Sequence, residues 1–255
     1  MSLHVETKGR GAPLVLIHGW GMHGGVWRDV AEKLADEFCV HSVDLPGFGA
    51  SAALPITHLD SLVESLSEQF TSSVNVCGWS LGGQVAMHWA AREPAKVNKL
   101  VLVTTTPCFT EHDDWLFGLP GEVLEKFAAE LEQNHATTLR RFISLQLRGS
   151  EKERELLTKL REQLFSRGEP DMNALRGGLA ILRDADQRSE AVQIQQPTLL
   201  IAGQRDKLTP PEASYYLAEV IPNAQVVEIE GAAHAPFLSH PDMFVSHVRV
   251  FLKNN

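Results

Sequence analysis

The chain has 255 residues, 44% of them hydrophobic and 22% charged, with a formal net charge of −9 at pH 7. That balance fits one large α/β domain, and the acidity argues against general nucleic-acid binding. No run of about eighteen apolar residues is present, which argues against a membrane-spanning helix.

Apolar, β-branched runs predict strands at 3–7, 13–17, 38–43, 74–78 and 98–104, and helical patterns lie near 25–36, 58–70 and 82–92. The alternation predicts βαβ units and a mostly parallel sheet with helices on both faces. Met1–Lys8 has neither a basic start nor an apolar core, so it does not read as a signal peptide. Cys39, Cys77 and Cys108 are odd in number and sit in or beside strand patterns, as expected for reduced residues of a cytoplasmic protein. No Cys/His spacing points to zinc, no glycine-rich phosphate loop is present, and no cofactor is expected.

From about Glu111 to Ala185 the strand patterns stop. Leu156, Leu157, Leu160 and Leu164 mark one helical stripe, and Leu139, Phe142, Ile143 and Leu147 another. The segment reads as a helical lid, residues 111–185, inserted after the sixth strand of a core formed by 1–110 and 186–255. Phe142, Ile143 and Leu145 are placed either to line a pocket beneath the lid or to pack the lid onto the core. Between Arg140 and Arg167 eight basic residues stand against four acidic ones. They form either a solvated helix face or a patch that steers an acidic partner. Strand patterns resume at 197–202 and 225–229, and 243–252 has the pattern of a closing amphipathic helix.

Gly78-Trp79-Ser80-Leu81-Gly82 joins the strand pattern at 74–78 to the helical pattern that follows. Strand, sharp turn and helix is the context of a nucleophile elbow, which lifts Ser80 out of the sheet and aims the Leu81 N–H at the same point. A serine hydroxyl needs a base within reach, and a base needs an orienting acid. Asp206 and His234 each follow a strand pattern, in the chain order Ser, Asp, His. His234 is expected to move the proton and Asp206 to hold the imidazole. Leu14–Ile17, read as the third strand, leads into His18-Gly19-Trp20-Gly21, where the Trp20 N–H is the expected second oxyanion donor. His18 reads as a brace for that loop. Asp44 reads as part of a turn, Asp184 and Asp186 are weaker rivals to Asp206, and Cys77 points from a strand interior.

On these motifs the chain resembles the α/β-hydrolase superfamily over its whole length. More narrowly it is similar to the esterase family that acts on pimeloyl-(acyl-carrier protein) methyl ester in biotin biosynthesis. The residues carrying this are His18–Gly21, Val43–Gly49, Gly78–Gly83, Pro107–Phe109, Arg141-Phe142 with Leu145-Gln146, Gly177–Leu179 with Ile181-Leu182, and Ala232–Phe237 with Ser239–Pro241. The resemblance implies a Ser80–His234–Asp206 triad, substrate contacts at Trp20 and Leu81, and an acyl channel lined by Phe142, Ile143, Ser144, Leu145 and Gln146. It also implies that lid arginines, here Arg141 and Arg154, dock an acidic acyl-carrier protein; the chain is expected to be a monomer. Thr137 and Thr158 stand where further lid arginines are expected, with Arg140, Lys152 and Lys159 nearby. Two other readings stay open: a broad-specificity carboxylesterase, lactonase or C–C hydrolase of the same fold, and a non-catalytic small-molecule receptor.

Overall fold

Seven strands alternate with helices along the described residues of the computed structural model, which are 3–51, 58–151 and 153–254. The strands are β1 (Val5–Lys8), β2 (Ala12–Ile17), β3 (Phe38–Val43), β4 (Val74–Trp79), β5 (Val97–Val103), β6 (Thr198–Gly203) and β7 (Ala224–Ile229). They form one sheet in the order β1-β3-β2-β4-β5-β6-β7. Only the β1–β3 pair is antiparallel. β4 and β6 are buried along their whole length, the pattern of parallel strands covered on both faces.

The core helices are α1 (Arg28–Leu34), α2 (Leu59–Gln69) and α3 (Leu81–Arg92). After β5 come α4 (Gly121–Gln133), α5 (His135–Leu147), α6 (Glu153–Leu164) and α7 (Met172–Asp184). The chain then returns to the core with α8 (Arg188–Ala191), α9 (Pro211–Val220), α10 (Pro236–Ser239) and α11 (Pro241–Lys253). One group, α1 with α10 and α11, packs around Trp27, Trp79, Phe237 and Phe244. A second, α2 with α3 and α8, packs over β4 and β5 through α3. Among the described residues no helix is long and apolar enough to cross a membrane.

Two expected ordinals shift by one. Ala12–Ile17 is the second strand of this chain rather than the third, and the helical insertion follows the fifth strand rather than the sixth. The described residues contain a single strand, β1, ahead of Ala12–Ile17, so every later count falls by one.

The register brings the site together. Ile17 lies opposite Gly78, Trp79 opposite Val103, Val103 opposite Ile201, and Gly203 opposite Ile229. The carboxyl ends of five parallel strands are therefore level, and the loops leaving them share one rim. In an open α/β sheet that rim, where strand order reverses, is where ligands bind.

The insertion is bolted to the core near its far end. Arg167 places Nη1 2.8 and 2.9 Å from the two oxygens of buried Asp44, and its other amino group pairs with Glu6. His23 donates its Nε2–H to the Gln163 carbonyl at 2.8 Å, and Asp171 N–H donates to the Gly47 carbonyl at 3.0 Å. Asp44 also accepts the Gly24 and Ala50 N–H groups. Burial would raise its pKa, but those donors, the nearby His18 and Arg167 together hold it below the usual carboxylate value. Asp44 is thus fully engaged in structure.

Candidate active site

Ser80 connects β4 to α3 with φ 54° and ψ −119°, a region that a non-glycine residue rarely occupies. The turn survives because its neighbours leave no alternative. A Cβ on Gly78 would stand 2.2 Å from the Gly82 carbonyl oxygen, and one on Gly82 would stand 2.5 Å from that of Ile17. Ser80 N–H donates to Val103 O at 3.0 Å, and its carbonyl accepts Thr105 Oγ at 2.7 Å.

Asp206 and His234 are both buried. His234 Nδ1 lies 2.8 Å from Asp206 Oδ2. A carboxylate only accepts, so Nδ1 carries a proton, and in the neutral imidazole the lone pair is then on Nε2. That Nε2 is buried and has no hydrogen-bond partner among the described residues. Asp206 also accepts the Leu208 and Thr209 N–H groups at 2.9 and 3.2 Å, with the Thr209 hydroxyl 2.8 Å from Oδ2. The His234 carbonyl accepts both Trp79 Nε1–H and Thr104 Oγ–H at 2.8 Å, and its N–H donates to the Gln146 carbonyl at 3.0 Å. The loop carrying the imidazole is thereby fixed from three sides. No hydrogen bond joins Ser80 Oγ to His234 Nε2, a contact that commonly tightens only when substrate is bound.

The N–H groups of Trp20 and Leu81 make no hydrogen bond among the described residues. Leu81 is the first residue of α3, where such donors are free by construction and the helix dipole favours negative charge. The Trp20 indole is anchored by donating Nε1–H to Leu175 O of α7 at 2.9 Å. Gly178 of α7 makes room for it, because a Cβ there would stand 2.7 Å from the indole ring.

Above this rim lies a cavity lined only by apolar side chains, among them Trp20, Phe127, Phe142, Leu145, Leu182 and Leu208. Of the five consecutive α5 residues expected in an acyl channel, Phe142 and Leu145 line it. Ile143 is buried against the hydrophobic core instead. Ser144 donates its Oγ–H to Arg140 O at 3.0 Å. Gln146 contributes its carbonyl to His234, and its buried Oε1 has no partner among the described residues. The division follows from the helix: residues three and four apart share a face, and five in a row cannot.

The remaining candidates sort cleanly. His18 donates Nδ1–H to Gly19 O at 2.8 Å and accepts Leu45 N–H at 3.0 Å on Nε2. Burial pushes its pKa down to about 4, so it is a neutral brace. Asp184 and Asp186 pair with Arg183 and Arg188. Burial pushes the Cys77 thiol far up. Arg141 pairs with Glu130 at 2.6 Å and stays mostly exposed. Arg140 lies over the Phe165 ring, Lys159 is 3.8 Å from Glu155, and Lys152 lies outside the described residues. Arg154 is exposed on α6.

A family model described as "alpha/beta hydrolase fold" matches residues 12–241. The chain belongs to the α/β-hydrolase family. Among its relatives, this hydrolase is 46% identical to the pimeloyl-(acyl-carrier protein) methyl ester esterase of Chromobacterium violaceum, over 96% of both chains. It is 44% identical to the enzyme of the same name from Nitrosomonas europaea, over 96% of this chain and 97% of that one. In fold it is similar to an esterase from Exiguobacterium antarcticum, with a TM-score of 0.90 at 22% identity, over 99% of this chain and 96% of that one.

Proposed function

We propose that this hydrolase is a cytoplasmic, monomeric serine carboxylesterase that cleaves the methyl ester of a pimeloyl chain borne on acyl-carrier protein, a step of biotin biosynthesis, without a cofactor. One arrangement carries the chemical part: a buried imidazole held by Asp206 on Nδ1 and unpartnered on Nε2, on the same rim as the strained Ser80. The names of the relatives at 44% and 46% identity support the substrate.

In this reading Ser80 Oγ bonds to the ester carbonyl carbon as its proton passes to His234 Nε2. The carbonyl oxygen becomes an oxyanion between the Trp20 and Leu81 N–H groups, donors worth about 100- to 1000-fold each in turnover. The C–O bond to the methoxy group then breaks. That group takes the proton from His234 and leaves as methanol. Water, deprotonated by the same Nε2, attacks the acyl-enzyme and releases the free carboxylate and Ser80. Asp206 stays ionised throughout and stabilises the imidazolium.

The apolar cavity suits a neutral acyl chain and offers no partner to a charged one. An apolar wall discriminates chain length by only about 10- to 200-fold per methylene, so short-chain esters are expected as side substrates. Arg141 and Arg154 provide the positive face for the acidic carrier. An organophosphonate tests the chemistry: it should modify Ser80 and leave Ser80→Ala untouched, whereas an unmodified Ser80 would indicate a binding protein. Neutralising Arg141 and Arg154 together should raise KM for the carrier-borne ester and leave a free ester unaffected. Equal effects on both would favour the broad-specificity carboxylesterase.

A further inference from the structure

The turn between α5 and α6 rests on both loops that carry the acid and the base. Arg205, immediately before Asp206, reaches out of the core and donates Nη1–H to the Gly149 carbonyl at 3.2 Å. Its other amino group lies 3.6 Å from Glu151 Oε1. The Glu151 carboxylate in turn covers Gly231, where a Cβ would stand 2.7 Å from Oε1. The two loops are stitched to each other by Arg205 N–H to Ala232 O at 2.8 Å and by Gly231 N–H to Gln204 Oε1 at 3.2 Å. Only a few residues before this turn, the last stretch of α5 supplies the Gln146 carbonyl that accepts His234 N–H. The insertion therefore touches the base directly, and among the described residues Arg205 ties this end of it to the acid loop through its guanidinium.

We propose that Arg205 is a positioning residue: its guanidinium pins the α5–α6 turn to the acid loop and so holds the Gln146 carbonyl where it sets the reach of His234 toward Ser80. The inference rests on the Ser80–His234–Asp206 reading. Gly149 offers a single carbonyl, so any long cationic side chain can serve the main contact. Glu151 is the lesser partner, being farther away, at 3.6 Å against 3.2 Å for the Gly149 carbonyl. The Arg205 side chain is itself about half exposed, so its removal leaves no buried group unpaired and has little effect on folding.

Arg205→Ala, Arg205→Lys and Glu151→Ala are compared on a small soluble ester, with kcat, KM, Tm and the rate of organophosphonate modification of Ser80 measured for each. Arg205→Ala should lower kcat and the modification rate together by about tenfold while KM stays within about twofold, as expected for a displaced base. Arg205→Lys should recover most of the loss, Glu151→Ala should cost less than Arg205→Ala, and Tm should stay near that of the wild type. Unchanged kcat in Arg205→Ala overturns the proposal. A loss that tracks Tm and resists rescue by lysine also overturns it, since that is the mark of a merely structural residue. A wild-type protein that neither turns over the ester nor takes the label overturns the esterase reading and this inference with it.

Discussion

Trp79 Nε1–H donates to the carbonyl of His234 at 2.8 Å, so the residue before the elbow serine also carries the loop of the base. Nucleophile and base are thereby indexed to the same indole. Trp79→Phe keeps the aromatic packing and removes the donor, leaving Thr104 Oγ as the remaining side-chain partner of that carbonyl. The expected result is a loss of about tenfold in kcat and about 1–2 kcal/mol in stability, from steady-state kinetics and urea unfolding.

Asp206→Asn keeps the size of the side chain but can present an amide N–H to Nδ1, which favours the wrong tautomer. The expected loss is about 10⁴-fold in kcat at neutral pH with folding intact. A loss under about tenfold would mean that Asp206 is not the orienting acid.

Arg167→Ala removes the guanidinium whose Nη1 bridges both oxygens of a fully buried carboxylate, and with it one of the ties between insertion and core. Asp44 keeps its two N–H donors but not its countercharge. Denaturant unfolding should show a loss of about 3 kcal/mol.

His18 gives a pH dependence whose sign is fixed. Its folded pKa is lowered to about 4 from 6.5, chiefly by burial, so between those values the unfolded chain binds more protons. Stability is therefore unaffected above about pH 6.5 and falls as pH drops toward 4. His88 acts the other way: burial alone would lower its pKa, but Glu190 and Asp60 raise it, so its contribution is present at low pH and fades as pH rises. Comparing wild type with His18→Asn isolates the first effect, and the variant should lose less Tm between pH 6.5 and 4.

The elements were legible because their signals are local. β-branched runs, the elbow glycines and the leucine stripes each lie within a dozen residues, and every strand and helix expected in the core is present. The supports of the site were not legible. Thr104, which holds the His234 carbonyl, and Gln146, whose carbonyl holds the His234 N–H, act through main-chain groups far away in sequence and leave no pattern to read. Thr209 had a readable signal: an aspartate accepting N–H groups two and three residues on is an Asx-type turn, and Asp206-Lys207-Leu208-Thr209 has that form. The resemblance implies a channel lined by 142–146, and the period of α5 turns Phe142 and Leu145 of that stretch toward the apolar cavity.

Methanol release from pimeloyl-(acyl-carrier protein) methyl ester and from a free pimelate methyl ester, measured for wild type and Ser80→Ala, tests the nucleophile and the carrier-borne substrate together. The wild type should turn over the ester with a strong preference for the carrier-borne form, and Ser80→Ala should release no methanol. Equal or better turnover of the free ester would contradict the carrier-borne substrate, and methanol release by Ser80→Ala at the wild-type rate would contradict the mechanism.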